Sequence, residues 1–76
     1  MAAVTPPLRF NGHAVRALRE ARDWSVTQLA AAIRRSEASV RSIEAGRTVP
    51  SMQTYLSLLE ALDVAPEELL ECGAEA

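Results

Sequence analysis

The feature that most constrains the fold is a pair of helix starts separated by one short turn. In the segment WSVTQL (residues 24–29), serine and glutamine stand at the spacing of a capping box, and tryptophan and leucine at the positions of a hydrophobic staple. A second capping residue, Ser36, follows where Arg34 and Arg35 interrupt the helical period. Two helices joined by about three residues must cross steeply, so the sequence predicts helix-turn-helix geometry.

The rest of the chain also predicts helices. A first helix is expected at about residues 12–22, capped by Asn11, and the helix after Ser36 is expected to end at Gly46. A fourth helix follows Ser51, and a short fifth helix opens with Pro66 in its first turn. The expected inward faces are Leu29, Ala30 and Ile33 in the second helix and Met52, Tyr55, Leu56, Leu59 and Leu62 in the fourth. No segment alternates as a strand does, so the sequence predicts an all-α, five-helix fold.

Length and composition indicate one small globular domain. The chain has 76 residues, of which 49% are hydrophobic and 24% charged, so a disordered composition is excluded. We assign residues 1–10 to a flexible N-terminal arm, 11–71 to the folded domain and 72–76 to a C-terminal tail. No apolar run approaches the roughly 18 residues that span a bilayer, and no signal peptide is apparent.

The chemistry-bearing residues do not form a catalytic or metal-binding constellation. The single cysteine, Cys72, cannot form an internal disulfide, and the single histidine, His13, lacks the partners that a metal site needs. We therefore expect no cofactor, no metal and no enzymatic activity. We expect a cytoplasmic protein that does not enter membranes.

Charge is divided unevenly along the chain. Residues 1–50 hold all eight basic residues, which are arginines, and four acids, a net charge of +4. Residues 51–76 hold six acids and no base, a net charge of −6. Such asymmetry suggests a part that faces a polyanion and a part that a polyanion repels. The alternative is chance combined with an acidic, solvated C-terminal segment.

The third helix is expected to expose small side chains. At about 100° per residue, Val40 and Ile43 fall together and must face the core. The residues on the opposite side are Ala38, Arg41, Ser42 and Ala45. Short side chains on an exposed face allow a groove wall or another flat surface to approach the helix backbone closely.

These features resemble the helix-turn-helix domain of the lambda-repressor and Cro family, also called the XRE family. The resemblance covers about residues 12–70 and is carried by WSVTQLAAAIRRSEASVRSIEAGRTVPS, with LREAR before it and LSLLEALDVAPEELL after it. It implies a five-helix lambda-repressor-like DNA-binding domain whose third helix is the recognition helix. The chain departs from the family at Val26, where a glutamine that binds phosphate is usual, and at Arg34, where glycine is common.

Specific positions follow from the resemblance. Residues at base-reading positions are Glu37, Ala38, Ser39, Arg41 and Ser42. Residues expected to bind DNA phosphates are Arg34, Arg35, Arg47 and Thr48. Arg19 and Glu44 match a structural ion pair between the first and third helices. A left-handed conformation at Arg34 would cost about 1 kcal/mol relative to glycine, so either the turn is reshaped or other contacts absorb the strain.

The sequence therefore predicts a DNA-binding transcriptional regulator, a small repressor that binds a two-fold operator as a homodimer and is associated with the nucleoid. Met52 and Tyr55 are the candidate residues for the dimer surface. The competing interpretation is a protein-interaction module or antitoxin on the same fold, with a protein partner such as a toxin.

Overall fold

A computed structural model describes residues 8–72 of the chain. The elements in chain order are β1 (Leu8–Phe10), α1 (Gly12–Ala21), α2 (Val26–Ile33), α3 (Glu37–Glu44), α4 (Met52–Leu62), a 3₁₀ helix (Pro66–Leu69) and β2 (Leu70–Cys72). The first four predicted helices are confirmed. The fifth is a four-residue 3₁₀ helix instead of an α-helix, because Leu70 already has the extended backbone of β2.

Each α-helix begins at a residue whose side chain caps it. Asn11, Ser25, Ser36 and Ser51 each accept a hydrogen bond from the backbone N–H three residues later. The capping box at the start of α2 is complete, because Gln28 Oε1 also accepts from the Ser25 N–H at 2.8 Å. The helix starts are therefore encoded locally in the sequence.

The core lies where the four α-helices and the 3₁₀ helix meet. Its buried apolar residues are Val15, Leu29, Ala30, Ile33, Val40, Ile43, Leu58, Leu62 and Leu69. The predicted inward faces of α2 and α3 are confirmed, and the half-buried side chains of Phe10 and Trp24 pack against the same cluster.

The predicted inward face of α4 is partly wrong. Met52 and Leu56 are 69% and 55% exposed, whereas Thr54, Leu58 and Leu62 are buried. A polar residue occupies the core side because its hydroxyl is satisfied there: Thr54 Oγ1 accepts hydrogen bonds from Arg35 Nε and Ser51 Oγ, each at 3.1 Å. Hydrophobic periodicity does not detect such a position.

The prediction that no strand is present is also wrong. β1 and β2 pair antiparallel, with Leu8 opposite Cys72 and Phe10 opposite Leu70. Leu8–Phe10, which the sequence assigns to the flexible arm, are therefore paired; residues 1–7 of that arm and 73–76 of the tail lie outside the described residues. Strands of three residues are too short to show alternation, and their partners lie at opposite ends of the chain.

Candidate nucleic-acid interface

The turn between α2 and α3 keeps the left-handed geometry that glycine would favour. Arg34 has φ 59° and ψ 45°, and it donates its N–H to the Ala31 carbonyl oxygen at 3.3 Å. The next residue, Arg35, donates its N–H to the Ala30 carbonyl oxygen at 2.9 Å, and Ser36 then caps α3. The turn is therefore not reshaped, and Arg34 keeps the left-handed conformation.

The outward side of α3 divides into two flanks. On the first flank, Ala38, Ser39 and Ser42 line a cleft together with Arg35 and Thr48. The Oγ atom of Ser42 and the Oγ1 atom of Thr48 share a hydrogen bond at 2.8 Å. This flank presents a methyl group and hydroxyl groups, with no long side chain of α3 in the way.

The second flank carries the charged residues of α3. Thr27 Oγ1 donates to Glu37 Oε2 at 2.8 Å, and Arg41 Nη2 donates to Glu37 Oε1 at 3.3 Å. Both oxygens of the Glu37 carboxylate are thus engaged within the protein. The five predicted base-reading residues therefore lie on one helix but face two sides of it, with Arg41 on the side of α1.

A buried ion pair fixes α3 against α1. Arg19 Nε donates to Glu44 Oε2 at 2.8 Å and Nη2 to Glu44 Oε1 at 3.1 Å, while Nη1 donates to the Trp24 carbonyl oxygen at 2.8 Å. The Glu44 hydrogen bonds raise the pKa of Arg19, against desolvation, which acts to lower it. The pair predicted from the resemblance is thus formed between Arg19 and Glu44.

The residues predicted to bind phosphate lie in different places. Arg47 and Thr48 lie in the exposed loop after α3. Arg35 lines the cleft beside α3, and its Nε is bonded to Thr54. Arg34 lines a second cleft between α2 and α4, which Arg35 and Glu60 also line. The structure therefore brings Arg35, Arg47 and Thr48 near α3 and leaves Arg34 apart from its outward side.

Two basic residues that the sequence did not single out for DNA also lie near α3. His13 and Arg16 on α1 line a cleft shared with Arg41 and Arg47. Their spacing of three residues places them on one face of α1, but the sequence does not show that this face is turned toward α3.

The two candidate dimer residues are unlike in structure. Tyr55 is half-buried: its OH donates to the Pro66 carbonyl oxygen at 2.9 Å, and its ring meets Phe10 edge to face at 6.1 Å. Met52 is exposed, and Leu56 follows it one turn later on the same helix. Together with Val49, which is 79% exposed, they are the exposed large apolar residues of the described chain.

Two further observations limit what the described residues hold. Between residues 8 and 72, no three side chains of His, Cys, Asp or Glu come together as a metal site would require. None of the helices in that range has the length and apolar character to cross a bilayer.

Comparison with known proteins places this geometry among known folds. Residues 12–71 match the sequence model of a family described as a helix-turn-helix domain. No curated protein sequence matches the chain significantly.

Solved structures give closer parallels. The restriction-modification controller protein C.AhdI from Aeromonas hydrophila is 34% identical, with a TM-score of 0.72 over 76% of this chain and 88% of that chain. SinR, a master regulator for biofilm formation solved in complex with DNA, is 27% identical, with a TM-score of 0.70 over 76% of this chain and 94% of that chain. A complex of the SinR and SinI proteins matches with the same identity and TM-score over 76% of this chain and 57% of that chain.

Proposed function

This chain belongs to the helix-turn-helix family of DNA-binding transcriptional regulators, and from that premise we propose that it is a small sequence-specific repressor, with α3 in the major groove of a two-fold operator. The observation that carries the proposal is the outward flank of α3, where Ala38, Ser39 and Ser42 have short side chains. Arg35 and Thr48 line the same cleft. Small side chains let the helix backbone approach base edges, and the guanidinium group supplies the charge that phosphates attract.

Direct readout would rest on few groups. The Ser39 and Ser42 hydroxyls can donate to or accept from base edges, and the Ala38 methyl group can contact a thymine methyl group. Glu37 can accept from a cytosine amino group, although its carboxylate already accepts hydrogen bonds from Thr27 and Arg41 in the free protein. Arg41 lies beside these residues and can reach a guanine from the second flank.

Phosphate contacts would hold α3 in register. Arg47 and Thr48 follow α3 in the exposed loop, and Arg35 lies beside its first turn. Arg34 would reach only a phosphate further along the backbone, since it lines the cleft between α2 and α4. The free backbone amides at the start of α2 favour an anion as well, although Val26 adds no side-chain donor there.

We propose a homodimer on DNA, because one domain of this size contacts few phosphates and a second copy doubles them. Half-sites would then lie about 34 Å apart. The exposed apolar side chains of Val49, Met52 and Leu56 support a contact surface at the start of α4. Tyr55 would hold α4 in place behind that surface, because its OH and its ring already contact Pro66 and Phe10.

A protein partner is the second candidate function. SinR, at 27% identity, is known in a complex with another protein, and the same exposed apolar residues of α4 suit such a contact. If this function dominates, the chain would retain no duplex DNA.

Binding to pooled random duplexes at two salt concentrations, followed by sequencing of the retained DNA, tests the proposal. We expect a two-fold motif for the wild-type chain and an altered motif for Ser42→Ala. Arg47→Ala should weaken all sequences alike and lower the salt slope by about one. Equal effects of the two variants on every sequence would rule out α3 as the reader. No retention at low salt would favour the protein-partner function.

Sedimentation velocity with and without the selected duplex tests the dimer. The double variant Met52→Ser/Leu56→Ser should bind one half-site and lose the two-fold complex, whereas Ala17→Ser, an exposed change on α1, should behave as wild type. An unchanged stoichiometry in the double variant would place the dimer contact elsewhere.

A further inference from the structure

A basic cleft bordered by α1, the start of α2 and the end of α3 lies apart from the flank formed by Ala38, Ser39 and Ser42. Four arginines and His13 line it, with Glu44 as the single acid. We infer that this cleft receives a phosphate of the DNA backbone, and that His13 and Arg16 therefore make α1 part of the DNA interface. The inference rests on the proposed function and deepens it by assigning a phosphate contact to the first helix.

The charge of the cleft favours an anion. The four arginines and Glu44 give a net charge of +3, with the histidine taken as neutral. Glu44 is already bonded at both oxygens by Arg19, at 2.8 and 3.1 Å. The remaining positive charge on Arg16, Arg41 and Arg47 is therefore not compensated by the acid of the cleft.

The bonds that now hold these arginines are the kind that a phosphate displaces. Arg16 pairs with Glu20 at 3.0 Å and Arg41 with Glu37 at 3.3 Å, each four residues away on its own helix and exposed. Exposed pairs of this kind contribute little, whereas a charge-assisted bond to phosphate is among the stronger contacts in proteins. Arg47 forms no ion pair within residues 8–72.

The position of the cleft suits one wall of the groove. Arg41 lies one turn before Ala45, the residue that follows α3, and both line the cleft, while Ser39 and Ser42 line the other flank. When α3 enters the major groove, its two flanks face the two sugar-phosphate walls. The cleft measures about 580 Å³, which leaves space for a phosphate group and several waters of about 30 Å³ each.

Two charge-matched variants, one on α1 and one at the residue that follows it, test the assignment. Arg16→Ala removes a cation inside the cleft, and Arg22→Ala removes one outside it, where the guanidinium donates to the Leu18 carbonyl oxygen. Fluorescence anisotropy with a duplex that the wild-type chain retains, over a series of salt concentrations, gives the affinity and the salt slope. Both arginines are exposed, so both variants should remain folded, and thermal unfolding of each variant checks this.

We expect Arg16→Ala to weaken binding about tenfold and to lower the salt slope by about 0.9. Arg22→Ala should keep the wild-type slope, and Arg16→Lys should restore most of the affinity. His13→Ala should weaken binding by a few-fold through the lost imidazole donor.

Two results would overturn the inference while leaving the proposed function intact. One is an equal loss in Arg16→Ala and Arg22→Ala, which would indicate net charge alone. The other is wild-type binding by both Arg16→Ala and His13→Ala. Failure of the wild-type chain to bind any duplex would overturn the proposed function and the inference together.

Discussion

Removal of the Glu44 carboxylate should destabilise the fold strongly. The Arg19 and Glu44 side chains are 9% and 7% exposed and share two hydrogen bonds. In Glu44→Ala the guanidinium would keep one hydrogen bond, to the Trp24 carbonyl oxygen, and the exposed Glu20 carboxylate 3.9 Å away. Removing one member of a buried pair costs about 3–5 kcal/mol, and we take about 3 because Arg19 borders an open cleft that water can enter.

That loss is large for a chain of this size. At 0.05–0.15 kcal/mol per residue, 76 residues correspond to a free energy of unfolding of about 4–11 kcal/mol. A loss of about 3 kcal/mol would lower Tm by about 12–24 °C in a domain this small. The raised pKa of Arg19 means that its stabilising charge is fully present below the usual arginine value and is lost only above it. Measurements at pH 7 therefore report the whole effect.

Urea unfolding followed by circular dichroism measures the loss of stability in Glu44→Ala. The matched control is Glu20→Ala: Glu20 lies 3.9 Å from Arg19 Nη2, but its side chain is 55% exposed, so the change should be below about 0.5 kcal/mol. The double variant Arg19→Met/Glu44→Leu should recover most of the loss, because it leaves no buried charge unpaired. If Glu44→Ala and Glu20→Ala unfold at the same urea concentration, the reasoning from burial is refuted.

Two backbone predictions follow from positions where the chain geometry is unusual. Arg34→Gly should raise the free energy of unfolding by about 0.5–1 kcal/mol, because φ is 59° at that residue. The control Arg22→Gly should lower the free energy of unfolding, because φ is −100° there. Calorimetry of both variants measures the two changes. Gly12→Ala should lower the free energy of unfolding by about 1–3 kcal/mol despite the helix preference of alanine, because the added Cβ would overlap the Ile43 carbonyl oxygen. An unchanged denaturation midpoint would show that α1 can move away from α3 at no cost.

Features encoded within a few residues were predictable from the sequence. The capping box of Ser25 and Gln28 and the caps at Ser36 and Ser51 define helix starts by local hydrogen bonds, and the structure confirms them. The inward positions of Val40 and Ile43 also follow from helical periodicity alone. The arrangement of these helices in the fold was inferred from the family resemblance.

Several features that depend on distant partners were not predictable. Arg9 and Glu71 lie opposite each other in β1 and β2, yet they are separated by nearly the whole described chain. Thr54 is buried because Arg35, nineteen positions away, donates to its hydroxyl. His13 became a candidate only when the packing of α1 turned it toward α3. Periodicity describes one element at a time, so it carries none of this information.

The orientation of α3 depends on polar contacts as much as on its apolar face. α3 has eight residues, too few for an isolated helix to be stable in water, so tertiary contacts must hold it. Val40 and Ile43 anchor it to the core, the left-handed Arg34 sets where it begins, and Glu44 ties its end to α1. Because none of these groups lies on the outward flank of Ala38, Ser39 and Ser42, that flank can change sequence without loss of the orientation that presents it to DNA.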